Sequence, residues 1–346
     1  MMTKKMVPKV AKPYSCIQDQ EAAGKPLRPS VVIGVCTYKR NDRLQELIKS
    51  LNSQTGPIEA DVSLLIVDNN QVPSVSHDLV GSDTHFPYQI LHERKAGLAN
   101  ARNRLFETAD ASGAEWLIGV DDDELLETSW LSEWIRGINS ASREILIGEV
   151  SLEYPINASP YIPRRPIAKP DAPKKSFVLG TGNYAVSQKV FSQDRGIGMR
   201  FSAEFNEIGG EDAEMILRAK RQHGLAYQRW PYPAVREEQR GDRLKLRYHL
   251  TRAIHTQRNG FHIAALHRRN KTLKNATPLA VMLTRRTSKS LVRGVSNLSV
   301  GVFWLPFERK TGQQKIGIGL EHLARAWAII PFVLGIKRRR YGASEP

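Results

Sequence analysis

The sequence is poor in cysteine and has no long uninterrupted apolar run. Cys16 and Cys36 are the only cysteines among 346 residues, which excludes a disulfide-stabilised scaffold and suits a reducing compartment. No stretch reaches the roughly 18 to 20 consecutive apolar residues that a spanning helix needs, so we predict no spanning segment. Residues 1–30 contain lysines and prolines without the apolar core of a signal peptide, and we interpret them as a flexible tail.

Acidic residues are almost missing from the last third of the chain. Residues 241–346 hold 21 Lys and Arg against 4 Asp and Glu, a net charge of +17, whereas residues 1–240 hold 30 against 31. Such asymmetry predicts a polyanionic partner for the last third, either an anionic lipid surface or nucleic acid. Zinc-finger spacing and aromatic RNA-binding motifs do not occur in the sequence, so we expect no nucleic acid and favour the membrane.

Apolar runs alternate with amphipathic segments in the first half of the chain. The pattern predicts buried strands at 31–36, 62–67, 88–91 and 116–120, with helices after residues 42 and 97. Strand and helix alternation is typical of a mostly parallel sheet with helices on both faces. Ligands bind at the carboxyl ends of the strands in such sheets. There this chain places the polar segments 37–40, 68–70 and 121–124.

Four adjacent carboxylates, Asp121 to Glu124, directly follow the last of these strands. Neighbouring acids repel one another, so fixing them at a strand end costs stability unless a cation compensates. Oxygen-rich sites suit Mg²⁺ or Mn²⁺, which then bridge a nucleotide diphosphate. A solvated acidic turn is the alternative interpretation of the same residues. The location at a strand end favours the metal site.

A second acidic pair, Glu211 and Asp212, follows two glycines and begins a predicted helix. Acids in the first turn of a helix are favoured by the helix dipole alone, so a purely structural role stays open from the residues. The segment Gly180 to Asn183 lies between the two acidic sites. It is either an ordinary tight turn or a loop whose glycines let the backbone approach a sugar closely.

Five short segments together resemble family 2 glycosyltransferases, which have the GT-A fold. They occur in the order of that family over about residues 31–260, and the pattern is most similar to bacterial exopolysaccharide glucosyltransferases of the succinoglycan type. Each segment is weak alone, and the combination is specific. The segments are VVIGVCTYKR (31–40), LLIVDNN (64–70), GLANARN (97–103), IGVDDDE (118–124) and GGEDAE (209–214).

The resemblance implies an inverting enzyme. It would move a sugar, with glucose as the default, from a UDP-sugar to a hydroxyl of a lipid-linked glycan in surface polysaccharide synthesis. Asp212 is then the general base, Glu211 supports it or the acceptor, and Asp123 binds Mg²⁺ or Mn²⁺. Three of the implied donor-binding residues have a stated contact: Asp68 at the uracil ring, Arg102 at base or phosphate, and Asp121 at the ribose. The other implied donor-binding residues are Thr37, Tyr38, Arg40, Lys95, Asp122 and Gly182.

One departure from the family pattern concerns a histidine that many relatives carry downstream of the base. The corresponding segment here, 234–240, contains none. An arginine in or after it is one substitute, since guanidinium pairs well with phosphate. A carboxylate from the same segment is another. The candidates are Arg236, Arg240, Arg243, Glu237 and Glu238.

We predict a tail (1–30), a GT-A nucleotide-sugar-binding catalytic domain (31–240) and a basic amphipathic helical region (241–346). Apolar runs in that last region suit helices lying at a membrane interface with aromatic anchors, which places the protein peripherally on the cytoplasmic face of the bacterial inner membrane. The alternative interpretation of this region is a helical appendage with a solvated basic face. Two competing functions are a polyprenyl-phosphate sugar synthase and a basic nucleic-acid-binding protein.

Overall fold

The computed structural model describes residues 28–81, 84–164, 182–269 and 278–336. Most of the predicted tail, Gly180, Thr181 and the basic run 337–340 lie outside the described residues, so the expectations for them stay predictions.

One eight-stranded sheet forms the centre of the catalytic region, in the spatial order β3-β2-β1-β4-β7-β6-β8-β5. The first four strands of that order run parallel to one another, as predicted. Antiparallel pairing begins where β7 joins β4 and β6. The strands are β1 (Ser30–Thr37), β2 (Asp61–Asp68), β3 (Tyr88–His92), β4 (Trp116–Asp121), β5 (Glu124–Leu126), β6 (Ile145–Glu153), β7 (Asn183–Ser187) and β8 (Tyr227–Glu238).

Within the described residues, six helices accompany the sheet and four follow it. The first six are α1 (Asn41–Asn52), α2 (His77–Val80), α3 (Leu98–Ala111), α4 (Trp130–Asn139), α5 (Gln188–Phe191) and α6 (Glu211–His223). The last four are α7 (Leu246–Arg269), α8 (Leu279–Trp304), α9 (Arg309–Trp327) and α10 (Ile329–Val333).

The continuous apolar run of β1 is explained by helices on both faces of the sheet. Val31, Ile33 and Val35 belong to the core under α1, whereas Val32 belongs to the core under α3. Neither face of the strand meets water, so the run shows no polar alternation. In α1 the residues predicted to face the core, Leu44, Leu47, Ile48 and Leu51, are all buried. These elements confirm the predicted α/β class.

The four C-terminal helices form a layered group, in which α9 contacts both α7 and α8. One segment of this group, Arg309–Val333, is long and apolar enough to cross a membrane by length and composition alone. This corrects the expectation that no such segment exists. Glycines and a few polar residues interrupt its apolar runs without making the average polar. The division of the chain into domains stays a prediction.

Candidate active site

The four adjacent carboxylates do not act as one group. β4 ends at Asp121 and β5 begins at Glu124, so the chain turns between them. Asp122 is not part of the group that the other three form, and its carboxylate accepts hydrogen bonds from Thr37 Oγ1 at 2.8 Å and Arg40 Nη1 at 3.1 Å. Asp121, Asp123 and Glu124 each bring one carboxylate oxygen within 4.8 Å of the others. The candidate metal group therefore has three members, and Asp122 joins the ends of two strands.

Glu124 is the most tightly enclosed member of this group, with 2% of its surface exposed. Its Oε2 atom has no hydrogen-bond partner among the described residues. Antiparallel pairing of β5 with β8 sets Glu124 opposite Glu237. Burial, and then the nearby charges of Glu237 and Asp121, raise the pKa of Glu124 well above its ordinary value. A buried, unpartnered carboxylate oxygen beside other acids is a donor set that a divalent cation fits.

Two arginines from distant segments flank Asp123. Arg40 Nη1 lies 2.9 Å from Asp123 Oδ2, and Arg243 Nη1 lies 3.3 Å from the same oxygen. Arg243 also pairs with Glu237. Of the arginines predicted to replace the missing histidine, Arg243 is thus the one at the acidic group. Arg236 pairs instead with Glu127 and Glu153, and Arg240 pairs with Glu46 and Glu238.

Arg102 connects the first acidic site to the second. It lies buried on α3, where Nη1 is 2.6 Å from Glu211 Oε1 and Nη2 is 3.2 Å from Asp121 Oδ1. Burial opposes the charge on Arg102, but Asp121 and Glu211 hold its pKa above the ordinary value. The sequence suggested a contact with base or phosphate, whereas the structure occupies this guanidinium with two carboxylates.

Burial dominates the titration of both acids that Arg102 bridges. It raises the pKa of Asp121 to about 7, with Asp123 and Asp122 adding to the rise and Arg102 opposing it. It also raises the pKa of Glu211, again against the charge of Arg102. Proton release from both carboxyls is therefore linked to the positive charge of Arg102, which each of them contacts.

Asp212 follows Glu211 but points to a more open environment. The preceding Gly209 and Gly210 have φ values of 71° and 94°, a conformation that glycine adopts without strain. This turn sends Glu211 into the interior and leaves Asp212 partly exposed at the start of α6. The carboxylate of Asp212 accepts a hydrogen bond from the Ala213 backbone N–H at 2.7 Å. Of the two acids, Asp212 is the one that an incoming hydroxyl can reach.

Asp68, at the end of β2, organises the loop that follows it. Its two carboxylate oxygens accept hydrogen bonds from the backbone N–H groups of Asn70, Ser74 and Val75. Burial acts to raise the pKa of Asp68, yet these bonds together hold it below its usual value. A uracil N–H at this position would have to share or replace a loop donor. The predicted contact with the base stays a prediction.

The remaining predicted donor residues lie around the same edge of the sheet. Tyr38 is exposed, and the Lys39 ammonium lies 5.2 Å from its ring centroid. Lys95 is also exposed, on the loop before α3. Gly182 lies beside the acids, since a Cβ there would be 3.2 Å from Glu124 Oε1 and 3.3 Å from Asp121 Oδ2. A side chain at Gly182 would therefore narrow the space over the metal group.

Residues 32–190 match the family described as glycosyl transferase family 2. The succinoglycan biosynthesis protein ExoM of Rhizobium meliloti (strain 1021) is 27% identical over 191 residues, which cover 53% of this chain and 59% of that protein's length. A solved structure, the mannosyltransferase PcManGT from Pyrobaculum calidifontis in complex with GDP-Man and Mn²⁺, shares the fold with a TM-score of 0.52 and 14% identity. The structural match covers 90% of this chain and 89% of the mannosyltransferase chain.

Residues 32–190 therefore match a family 2 glycosyltransferase model, and the chain shares the fold of a solved mannosyltransferase, as the sequence predicted. The family match includes the acidic group at 121–124 and ends before Glu211 and Asp212, so it does not test the second acidic site.

Proposed function

We propose that the protein is an inverting glycosyltransferase. It transfers a sugar from a nucleotide sugar, with a UDP-sugar expected, to a hydroxyl of a lipid-linked glycan during surface polysaccharide synthesis. The observation that carries the proposal is the link made by Arg102, which pairs with Asp121 of the candidate metal group and with Glu211, the neighbour of the candidate base Asp212. The similarity to ExoM supports the polysaccharide context.

On the donor side, Asp121, Asp123 and Glu124 would hold Mg²⁺ or Mn²⁺. The bound cation supplies Lewis acidity that neutralises charge on a leaving nucleoside diphosphate. Arg40 and Arg243, which now pair with Asp123, are placed to donate to phosphate oxygens at the same point.

On the acceptor side, Asp212 takes the proton from the acceptor hydroxyl while that oxygen attacks the anomeric carbon. The bond from that carbon to the diphosphate oxygen breaks on the opposite face, so a single displacement inverts the configuration. Glu211 is occupied by Arg102 and is therefore a positioning residue that fixes the first turn of α6. Asp212, which has no such cation partner among the described residues, is left as the base.

The test is nucleotide release by the purified full-length protein with Mn²⁺ and a panel of UDP- and GDP-sugars, with and without a lipid-linked glycan acceptor. A general base contributes about 10² to 10⁴ in rate, so Asp212→Asn should lower acceptor-dependent transfer by at least about 100-fold. Asp123→Asn should abolish the response to Mn²⁺. Asp194→Asn, an exposed acid on a surface loop, is the matched control. Wild-type transfer by Asp212→Asn would reject the assigned base.

A second candidate function is a polyprenyl-phosphate sugar synthase, which the apolar segment Arg309–Val333 favours. Such an enzyme would transfer the same donor sugar to a lipid phosphate instead of a glycan hydroxyl. The two are separated by offering polyprenyl phosphate and a lipid-linked glycan to the same preparation. Sugar transfer to the phosphate alone would establish the synthase. In either case we expect the protein to work on the cytoplasmic face of the membrane.

A further inference from the structure

Helix α8 packs mainly along α9 and also contacts α7 near its own N-terminal end. Of the 26 residues of α8, only Leu283, Gly294 and Gly301 are buried. No described part of the protein covers the opposite face of α8, so that face is available to a partner.

Glycines hold α8 and α9 together at backbone contact. A Cβ at Gly301 would lie 2.9 Å from the carbonyl oxygen of Gly312, and a Cβ at Gly319 would lie 2.9 Å from that of Gly294. Such close approach is used by helices that associate through small residues. Because glycines occupy the contact, the large side chains of α8 are left on its outer face.

The outer face and the adjoining turn are rich in exposed apolar side chains. Phe303 and Phe307 expose 62% and 71% of their surface, and Trp304 lies between them. The three rings contact one another, with centroids 5.5 to 6.4 Å apart. An exposed aromatic cluster at a helix turn marks an interaction site, and tryptophan is typical of the membrane interface. Leu291, Val292, Val295 and Val302 continue the apolar surface along α8.

The same segment is strongly basic, which identifies the chemistry of its partner. Residues 278–315 contain seven Lys and Arg and a single acid, Glu308. Lys289 and Arg293 are exposed beside the apolar side chains of α8, and Arg309 and Lys310 follow the aromatic turn. Apolar anchors interleaved with lysine and arginine match an anionic lipid surface, where each feature reinforces the other.

The apolar segment Arg309–Val333 begins with α9, and α9 is held against the catalytic domain. Gly317 lies directly against the carbonyl of Tyr161. Gln314 Nε2 donates a hydrogen bond to the Pro160 carbonyl at 2.9 Å. Insertion of α9 across a bilayer would break these contacts, whereas docking through α8 leaves them in place.

We propose that the outer face of α8 and the turn Phe303 to Phe307 dock on an anionic phospholipid surface, while α9 stays on the catalytic domain. This deepens the membrane association that forms part of the proposed function. The surface is distinct from the donor and acceptor sites, so its loss should leave nucleotide chemistry intact.

Helices α8 and α9 form a helical hairpin, and two tryptophans report which end of this hairpin contacts lipid. Trp304 and Trp327 are the exposed ones among the six in the chain; Trp304 ends α8 at the turn into α9, and Trp327 ends α9. Vesicles containing brominated phosphatidylcholine and phosphatidylglycerol should quench the wild-type fluorescence. Trp304→Phe, which keeps an aromatic anchor, should lose most of that quenching, and Trp327→Phe should retain it. The reverse result would show that the α9–α10 end enters the lipid and would overturn the proposal.

The charge component is tested by vesicle partitioning of the full-length protein. One interfacial Lys or Arg strengthens binding to an anionic surface about fivefold, so Lys289→Gln with Arg293→Gln should lower partitioning about 30-fold. Pure phosphatidylcholine vesicles should show little change. The matched control is Lys49→Gln with Lys189→Gln, which removes the same charge from exposed positions of the catalytic region. Equal losses in both double variants would overturn the proposal.

A third measurement separates lipid from a second copy of the chain. Phe303→Ser with Phe307→Ser should reduce partitioning and leave the sedimentation coefficient unchanged. A fall from dimer to monomer with unchanged partitioning would assign the surface to self-association and reject lipid docking. Mn²⁺-dependent nucleotide release by the same variants is the check on the proposed function. If the wild type releases nucleotide but does not bind vesicles, the docking proposal alone is refuted. If the wild type does not release nucleotide, the proposed function is refuted.

Discussion

Replacing Arg102 by methionine tests the link between the two acidic sites. The side chains of Arg102 and Glu211 are 6% and 7% exposed, and their shortest contact is 2.6 Å. Methionine fills similar volume but leaves the Glu211 carboxylate buried without its cation. Breaking a buried ion pair in this way costs about 3 to 5 kcal/mol. We expect urea unfolding of chelator-treated Arg102→Met to show a loss of that size.

Two further variants separate this reasoning from a general effect of substitution. Arg236→Met is the matched control, because its 2.8 Å pair with Glu127 is about half exposed and should contribute at most about 1 kcal/mol. Arg102→Met combined with Glu211→Met removes both charges and should recover at least half of the lost stability. Simple addition of the two single losses, or a control as damaging as Arg102→Met, would refute the account of a buried pair.

Further predictions concern the acids, the sheet and the helical hairpin. Burial raises the pKa values of Asp121 and Glu124, so the metal-free folded protein keeps protons that the unfolded chain releases. The melting temperature of chelator-treated protein should therefore fall as pH rises from about 4 to about 7. Added Mn²⁺ should restore the melting temperature mostly near pH 7. A pH-independent melting temperature would contradict this. Asn183 Oδ1 accepts bonds from two buried indole N–H groups, so Asn183→Leu should cost about 3 kcal/mol in urea unfolding, and a loss below 1 kcal/mol would contradict it. Gly301→Leu should push α8 from α9 and make the hairpin sensitive to trypsin without changing nucleotide release, and unchanged proteolysis would argue against close packing.

The elements found from the sequence are those specified by local pattern. β1, β2 and β4 are short apolar runs, and each was predicted within one residue at both ends. α1 and α3 carry apolar residues at helical spacing, and their starts were predicted within two residues. β5, with three residues, is too short to produce a pattern of its own. It exists because the antiparallel pairing with β8 supplies its hydrogen bonds, and such pairing depends on residues far away in the chain.

One missed helix did have a readable signal. In α4, Trp130, Trp134 and Ile138 recur at intervals of four and are buried. The same spacing led to the correct prediction of α1. The spacing of these residues alone therefore predicts α4.

The predicted site residues do gather at the carboxyl edge of the parallel strands, but local sequence did not specify their orientation. Asp122 and Asp123 lie in the turn between β4 and β5, and the fold brings together carboxylate oxygens of Asp121, Asp123 and Glu124 but not of Asp122. The burial of Arg102 could not be predicted from local sequence either, because its partners Glu211 and Asp121 come from other elements of the fold. Family resemblance identified these residues as a set. The distances assign them different physical tasks.

The folded neighbours of the four acids change what their charges imply about a metal. In the sequence, the four adjacent acids and their location at a strand end favour a cation over a solvated acidic turn. In the fold, guanidinium groups compensate three of the four: Asp121 pairs with Arg102, while Asp122 and Asp123 pair with Arg40. Repulsion among neighbours therefore does not by itself demand a metal. Glu124 is different, because it is buried, lies opposite another acid and has an oxygen without a partner among the described residues. That single carboxylate, more than the length of the acidic run, is the feature a divalent cation explains.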